Sequence, residues 1–290
     1  MKVKSTTAKI GDWIFVILCV LISLICVIPM INLLARSLSG TDYLVRHEVY
    51  LLPKGLNFEA YKTVLSDPKY IRAFFYTVAL TIVSTLVSLF MTTICAYPLI
   101  FPQLKGRNFV NVMITITMFF NAGTIPNYLL IQKLGMLDHP IVLVLPYCLS
   151  VYNMIIMRSF FYGIPDSLRE SAEIDGATFF RILWSIYVPL SKPVMATLAL
   201  FYAVGRWNGY SDALMYVKKS EYYPLQLLLY NILNNINSVE VATQEGFSTP
   251  GLSESLKAAI VMFSTIPILC IYPFLQKYFI HGVMVGAVKE

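Results

Sequence analysis

The chain has 290 residues, of which 57% are hydrophobic and only 13% charged, with a mean hydropathy of +0.67. Ordinary soluble domains carry roughly 25% charged residues, and a soluble fold of this length has no interior large enough for so much apolar surface, which leaves an integral membrane protein. The net charge of +6 suits an anionic bilayer surface, and no basic patch is interleaved with aromatics, so nucleic acid is not implied.

The N-terminus is short and basic, with Lys2, Lys4 and Lys9. From Trp13 to Ala35 follows an apolar run. Its roughly fifteen Val, Ile, Leu and Phe residues, at about −0.4 kcal/mol each, favour insertion by roughly 6 kcal/mol before Pro29 and Asn32 are counted against it. A secretory signal competes with this reading, but its apolar core normally spans about 7–15 residues. The run is longer, and reads as an uncleaved span. Residues 37–69 form a mixed-charge loop. A second span covers about Ile71 to Leu99 and is rich in Ser and Thr (Thr77, Thr81, Ser84, Thr85, Ser88, Thr92, Thr93), small polar residues that let membrane helices pack closely.

The third span starts near Phe109 and breaks at residues 121–127, where Gly123 and Pro126 fall together; freed backbone groups there must face protein or water, not lipid. The fourth runs from about Pro140 to Phe161, the fifth from about Leu190 to Met215, and the sixth from about Leu256 to Ile280. A long Tyr- and Asn-rich loop, residues 216–255, separates the last two. Cys19, Cys26, Cys95, Cys148 and Cys270 are odd in number and lie in apolar runs, and the His residues are scattered, so neither a disulfide framework nor a metal site is indicated.

Six spans put both termini on one side. Lys and Arg divide evenly between the two faces, but short loops near span ends count most, and these place both termini inside. The expected organisation is an N-terminal span with an external loop (1–69), a core of five spans (70–282) and a cytoplasmic tail (283–290).

Between the fourth and fifth spans lies the polar stretch Ile164 to Pro193, which the orientation makes cytoplasmic. Ser167 and Glu170 have the spacing of a capping box, which starts a helix after Pro165. Asp175-Gly176 reads as its end. A second short helix from Thr178 to about Tyr187 is expected to stop at Pro189. Two short helices joined at a glycine between spans make a docking element.

The residues Glu170-Ser171-Ala172, Gly176, Ile186 and Pro189 resemble the E-A-A, G, I-x-L-P loop of ABC importer permeases, with three residues before the glycine and nine after it; Asp175-Gly176-Ala177 matches the usual D-G-A. Ser171 replaces Ala and Val188 replaces Leu, both mild departures. Further blocks, among them Gly123-x-Ile125-Pro126, Arg158-x-Phe160-Phe161, Trp207-Asn208 and Tyr223-Pro224-Leu225-Gln226, are similar to the carbohydrate branch of multiple-sugar and aldouronate permeases. The tail Gly282-x-x-x-Gly286-x-x-Lys289 is similar to that of the maltose-type second permease.

The resemblance implies an all-α membrane protein with six transmembrane helices, of the type I importer architecture, in the bacterial cytoplasmic membrane. It implies one half of a heterodimeric pore for an oligosaccharide, an acidic one being possible by chemistry if Arg206 faces the path; a permease for another delivered solute and a secondary transporter are the alternatives. The implied partners are a second homologous permease subunit, two copies of a cytoplasmic ATPase subunit and an extracellular or periplasmic solute-binding protein. No Gly in the chain is followed by Lys, so the phosphate-cradling G-x-x-x-x-G-K-[ST] loop is absent; the chain is not expected to be an enzyme or to hold a cofactor, with ATP and Mg on the ATPase subunits.

In that frame Glu170, Ser171, Ala172, Asp175, Gly176, Ala177, Ile186 and Pro189 form the coupling loop, and Lys289 is a further ATPase contact by analogy. A Glu170 that only caps its helix is the plainer reading. Arg206 costs roughly 2.5–3.5 kcal/mol to place at mid-membrane. It either lines a sugar path with Trp207, Asn208 and Tyr210, or it lies near the outer end of the fifth span and snorkels, or it pairs with Asp212. Asn121, Asn127 and Tyr128 either line the same path or satisfy the backbone of the broken helix.

Overall fold

The computed structural model describes residues 6–235 and 250–287. Fourteen α-helical segments carry the described chain, in order α1 (Thr6–Ser37), α2 (Thr41–Val45), α3 (Glu59–Ser66), α4 (Pro68–Ala96), α5 (Arg107–Phe119), α6 (Thr124–Lys133), α7 (Val151–Tyr162), α8 (Asp166–Ile174), α9 (Phe179–Ile182), α10 (Val188–Leu190), α11 (Lys192–Asn208), α12 (Ser211–Tyr216), α13 (Leu225–Asn235) and α14 (Pro250–Ala287). Among the described residues three helical stretches are long and apolar enough to cross a bilayer, 11–37, 68–100 and 254–271. Three bent pairs bring the number to six: α5 with α6 at 115°, the 3₁₀ turns of 140–147 with α7 at 48°, and the 179–190 helix with α11 at 82°.

The chain divides into two compact units. In the first, residues 1–71 with 229–266, α1 exposes its apolar side chains from Trp13 to Leu34, and its last turns pack against the loop that follows. Ala35 packs with Leu44 and Val49. The Ser37 and Tyr61 hydroxyls lie 2.8 Å apart, and Arg36 pairs with Glu254 at 2.5 Å. An all-round apolar helix with no covering protein is what lipid, or another subunit, solvates.

The second unit, residues 72–228 with 267–290, is organised on one face of α4. Ala73, Thr77, Leu80, Ser84, Ser88 and Thr92 recur every three or four residues and are all buried, whereas Phe75, Ile82, Val83, Leu86 and Phe90 point outward. Small side chains on the buried face let other helices approach closely. Thr77 Oγ1 accepts the Leu225 N–H at 2.8 Å, and the Thr92 and Tyr202 hydroxyls are 2.7 Å apart. At the far end of α4, Tyr97, Leu99 and Ile100 meet Met154, Met157 and Phe161 of α7, Ile182 of α9, Leu183 and Tyr187 beyond it, and Val194 and Leu198 of α11 in one buried cluster. Tyr97, Phe161 and Tyr187 pack edge to face in it, with centroids 5.1–6.3 Å apart.

Several local expectations are corrected. The 216–255 segment is not all loop: α13 forms within it, with Leu225, Leu227 and Leu228 buried. The fifth apolar stretch does not run unbroken to Met215, because Gly209 and Tyr210 separate α11 from α12. Pro189 does not stop the second short helix. Leu183–Tyr187 wind as a π-helix, α10 follows with Pro189 in its first turn, and the sharp bend falls at Ser191. The wider π turn ahead of it makes room for the proline ring, which in plain α geometry would meet the carbonyl four residues back.

Candidate functional site

The element from Pro165 to Leu190 is built by local rules. Pro165 is extended (φ −58°, ψ 130°) and turns the chain into α8, whose first turn carries Asp166 against the positive end of the helix. The capping box is not formed. Ser167 already lies inside the helix, where its carbonyl accepts from the Ser171 hydroxyl at 2.9 Å, and no side chain caps the terminus. The proline sets the start two residues early, so Ser167 never occupies the half-helical cap position.

The other end forms as expected. Gly176 takes φ +76°, the Ala177 N–H reaches the Ala172 carbonyl at 2.9 Å, and the Gly176 N–H reaches that of Glu173 at 3.0 Å, the paired bonds of a Schellman stop. Any residue with a Cβ is strained there by about 1–2 kcal/mol, although nothing lies within 4 Å of where the Cβ would sit. Thr178 Oγ1 then accepts the Arg181 N–H at 3.4 Å and starts α9.

What this element presents is mixed. Glu170, Ser171 and Asp175 are exposed, and beside them Ile174, Phe179 and Phe180 are 86%, 62% and 70% exposed. Ala172, Ala177 and Ile186 turn the other way and pack on the buried cluster; Pro189 is exposed. The small residues therefore seat the element on its own chain, and the acidic and aromatic ones are left for something else. Lys289 lies outside the described residues.

The second group of candidates surrounds Arg206, near the end of α11. Of these readings, the pairing with Asp212 is what forms. Nη1 donates to Asp212 Oδ2 at 2.5 Å and to the Leu143 carbonyl at 2.9 Å; Nη2 donates to Asp212 Oδ1 at 3.0 Å and to the Gly209 carbonyl at 3.2 Å. The side chains of the pair are 6% and 9% exposed. All four terminal N–H groups are used, in the bidentate fork that suits a carboxylate, and the charge is neutralised. The chain must come close for this: a Cβ on Gly209 would lie 2.7 Å from Nη2.

Trp207 is buried, edge-on to Phe74 with centroids 6.0 Å apart, and Asn208 donates to the Val204 carbonyl at 3.0 Å. Tyr210 is exposed. At the bend between α5 and α6, Asn121 Oδ1 accepts the Gly123 N–H at 2.9 Å and Asn127 Nδ2 at 3.3 Å. Asn121 thus satisfies one backbone N–H of the break, and Asn127 bonds to the Asn121 side chain. Tyr128 stacks on Tyr216 of α12 at 6.1 Å. Arg206 and Tyr128 thus meet through α12, which holds both Asp212 and Tyr216, and Asn121 and Asn127 stand apart in the turn.

Sequence reasoning missed the cavity next to the ion pair. It encloses about 370 Å³ and is walled by Ser84 of α4, Tyr147, Asn153 of α7, Tyr202 and Arg206 of α11, and Asp212. The signal was the Ser/Thr stripe of α4, which marked a face but not what the face looks onto. The salt bridge leaves this wall without net charge, so what it offers is hydroxyls, an amide and aromatic rings.

The chain is similar to known transport proteins over most of its length. Residues 70–285 match the family model described as "Binding-protein-dependent transport system inner membrane component". The chain is 39% identical to Protein LplC of Bacillus subtilis, over 91% of this chain and 90% of that one. It is 37% identical to the polygalacturonan/rhamnogalacturonan transport system permease protein YtcP of the same organism, over 92% and 94%. Among solved structures, a chain of a bacterial ABC transporter involved in the import of the acidic polysaccharide alginate superposes with a TM-score of 0.89 at 33% identity, covering 96% of this chain and all of that one. The chain belongs to the family of binding-protein-dependent transport system inner membrane components: it is a helical membrane permease of the ABC importer class, and not itself an enzyme.

Proposed function

We propose that the chain is one half of a pore that imports an oligosaccharide across the bacterial cytoplasmic membrane, driven by ATP hydrolysis on another subunit. The single observation that carries the coupling half of this reading is the uncovered face of the α8–Gly176–α9 element, where Glu170, Asp175, Ile174, Phe179 and Phe180 are exposed side by side. Carboxylates there accept charge-assisted hydrogen bonds worth about 1.5–3 kcal/mol each, and the aromatic pair supplies the apolar anchor of an interface. Two copies of an ATPase subunit holding ATP and Mg, a second homologous permease and a solute-binding protein complete the assembly; the family's binding-protein dependence supports the last. Both termini then face the cytoplasm. Residues 1–69 add a span and external loop to the 70–282 core, with 283–290 as a tail that brings Lys289 toward the ATPase.

The oligosaccharide class is supported by the relatives named for pectin-type polysaccharides and for alginate. An acidic sugar is favoured on that likeness and not on Arg206, whose charge Asp212 takes. The path is assigned to the cavity beside the ion pair, which Tyr147, Asn153 and Tyr202 line; Trp207, Asn208, Tyr210 and Tyr128 are not among its walls and would act on the path from outside it. The test is uptake of alginate, galacturonan and malto-oligosaccharides by cells carrying the complete importer. Glu170→Lys and Gly176→Pro are expected to leave the protein in the membrane and to abolish uptake, since proline cannot adopt a positive φ. Normal uptake by both variants overturns the coupling assignment.

A further inference from the structure

Arg169 stands in the middle of α8, yet its side chain is only 14% exposed, while those of Asp166 and Glu170 are 78% and 64% exposed. Two kinds of partner draw it in. Along the helix, Nη1 donates to Glu173 Oε1 at 3.0 Å and Nη2 lies 3.4 Å from Asp166 Oδ1, at i+4 and i−3. Burial opposes the cation, but the hydrogen bond and charge of Glu173, then Asp166, outweigh it and hold its pKa above the ordinary arginine value. Across to a different element, the guanidinium carbon sits 5.6 Å from the ring centroid of Phe101, in the linker after α4. A planar cation over an aromatic face is attracted by the ring's quadrupole.

Phe101 is the start of a connected series. Its ring packs edge-on against Tyr97 at 5.0 Å and Phe179 at 5.5 Å, and Tyr97 packs against Tyr187 and Phe161. Side chains in contact therefore lead from α8 to the end of α4, to α7 and to the π-helical segment. The backbone route from α8 passes instead through the Gly176 turn, where no side chain lies within 4 Å of where a Cβ would sit. Beside the Arg169–Phe101 contact a cavity of about 540 Å³ lies between Glu173 of α8, Phe180 of α9 and Gln103 and Leu104 of the linker. With that space open, the guanidinium–ring contact spans what packing does not fill.

We infer that Arg169 is a positioning residue for energy coupling: held by Glu173 and Asp166 and seated on Phe101, it ties α8 to the end of α4. Displacement of α8 is then carried to α4 and α7 directly, as well as along the chain through Gly176. The inference rests on α8 being the element the ATPase moves.

The test uses the complete importer, with both permeases, the ATPase pair and the binding protein, in proteoliposomes. The readout is sugar moved per ATP hydrolysed, with the oligosaccharide that the wild type accumulates best from the panel above. Arg169→Leu and Phe101→Leu are each expected to lower that ratio by about fivefold or more, the low end of coupling between sites, with the assembled complex recovered in normal yield. The double variant is expected to be no worse than either single one, and Arg169→Lys, which keeps a cation over the ring, to return to within about twofold of wild type. An unchanged ratio in Arg169→Leu, losses that multiply in the double variant, or ATPase subunits missing from the purified complex each overturn the inference. If Glu170→Lys and Gly176→Pro also transport normally, the coupling reading itself falls. If those two fail and Arg169→Leu does not, only the role of Arg169 falls.

Discussion

Removing Asp212 tests the most specific electrostatic feature of the structure. In Asp212→Ala, Arg206 keeps five N–H donors and a full charge in a place where its side chain is 6% exposed, with the carbonyls of Leu143 and Gly209 left to it. An arginine cannot shed its proton to escape. Breaking a buried pair from one side costs about 3–5 kcal/mol. At about 2–4 °C per kcal/mol for chains near this size, the unfolding midpoint falls by about 6–20 °C. Arg206→Leu leaves the Asp212 carboxylate buried without its partner and is likewise expected to lower the midpoint. The double variant, Arg206→Leu with Asp212→Leu, recovers most of the loss, since both charges leave together. The assay is thermal unfolding of the purified complex in detergent, followed on this subunit. A second arm measures uptake: Arg206→Ala is expected to lower transport of acidic and neutral oligosaccharides alike. The reasoning is refuted if Asp212→Ala unfolds with the wild type, or if Arg206→Ala spares neutral sugars and loses acidic ones.

Gly209→Ala places a methyl 2.7 Å from the guanidinium and is expected to lower the midpoint by itself but to be nearly silent when Arg206 is already Leu; the same melting assay on both backgrounds checks this. Thr77→Val keeps shape but strands the Leu225 N–H, at a cost of about 1–3 kcal/mol, and hydrogen exchange at the start of α13 is expected to quicken; unchanged exchange there sinks the assignment. Asp138 accepts the Lys219 and Lys218 N–H groups at 2.8 and 2.9 Å, which hold its carboxyl below its ordinary value of 3.8. A depressed folded pKa means that the stability it lends is present at neutral pH and lost as pH falls through the lowered value. Asp138→Ala is therefore expected to remove a stabilisation seen at pH 7 and to match the wild type in strong acid, as read from melting against pH.

Much of the fold is visible in hydropathy, because a span announces itself locally. The runs at 13–35, 71–99 and 256–280, the break at 121–127 and the stop at Asp175-Gly176 all follow from residue types within a few positions of one another. What escaped is non-local or turns on one residue of phase. The cap at Ser167 failed because Pro165 set the helix start first. Pro189 looked like a terminator, and only a π turn ahead of it lets the helix continue to the bend at Ser191. Arg206 had several readings because choosing among them needs Asp212 folded back across Gly209. The Ser/Thr stripe of α4 signalled close packing, but the cavity it walls exists only once α7 and α11 have arrived.

The π-helical segment Leu183–Tyr187 has a consequence for what changes in length the chain tolerates. Each residue of an α-helix advances the screw by about 100°, and a π turn absorbs one residue more than an α turn in each hydrogen-bonded ring. Deleting one residue within Leu183–Tyr187 would therefore let the segment relax to plain α geometry and leave α10 and α11 near their present phase. An added residue has no such slack to use up, and it would turn everything after it by about 100° and carry Tyr187 away from Tyr97 and Phe161. The segment is a store of one residue of length, set where the buried cluster fixes the aim of α11.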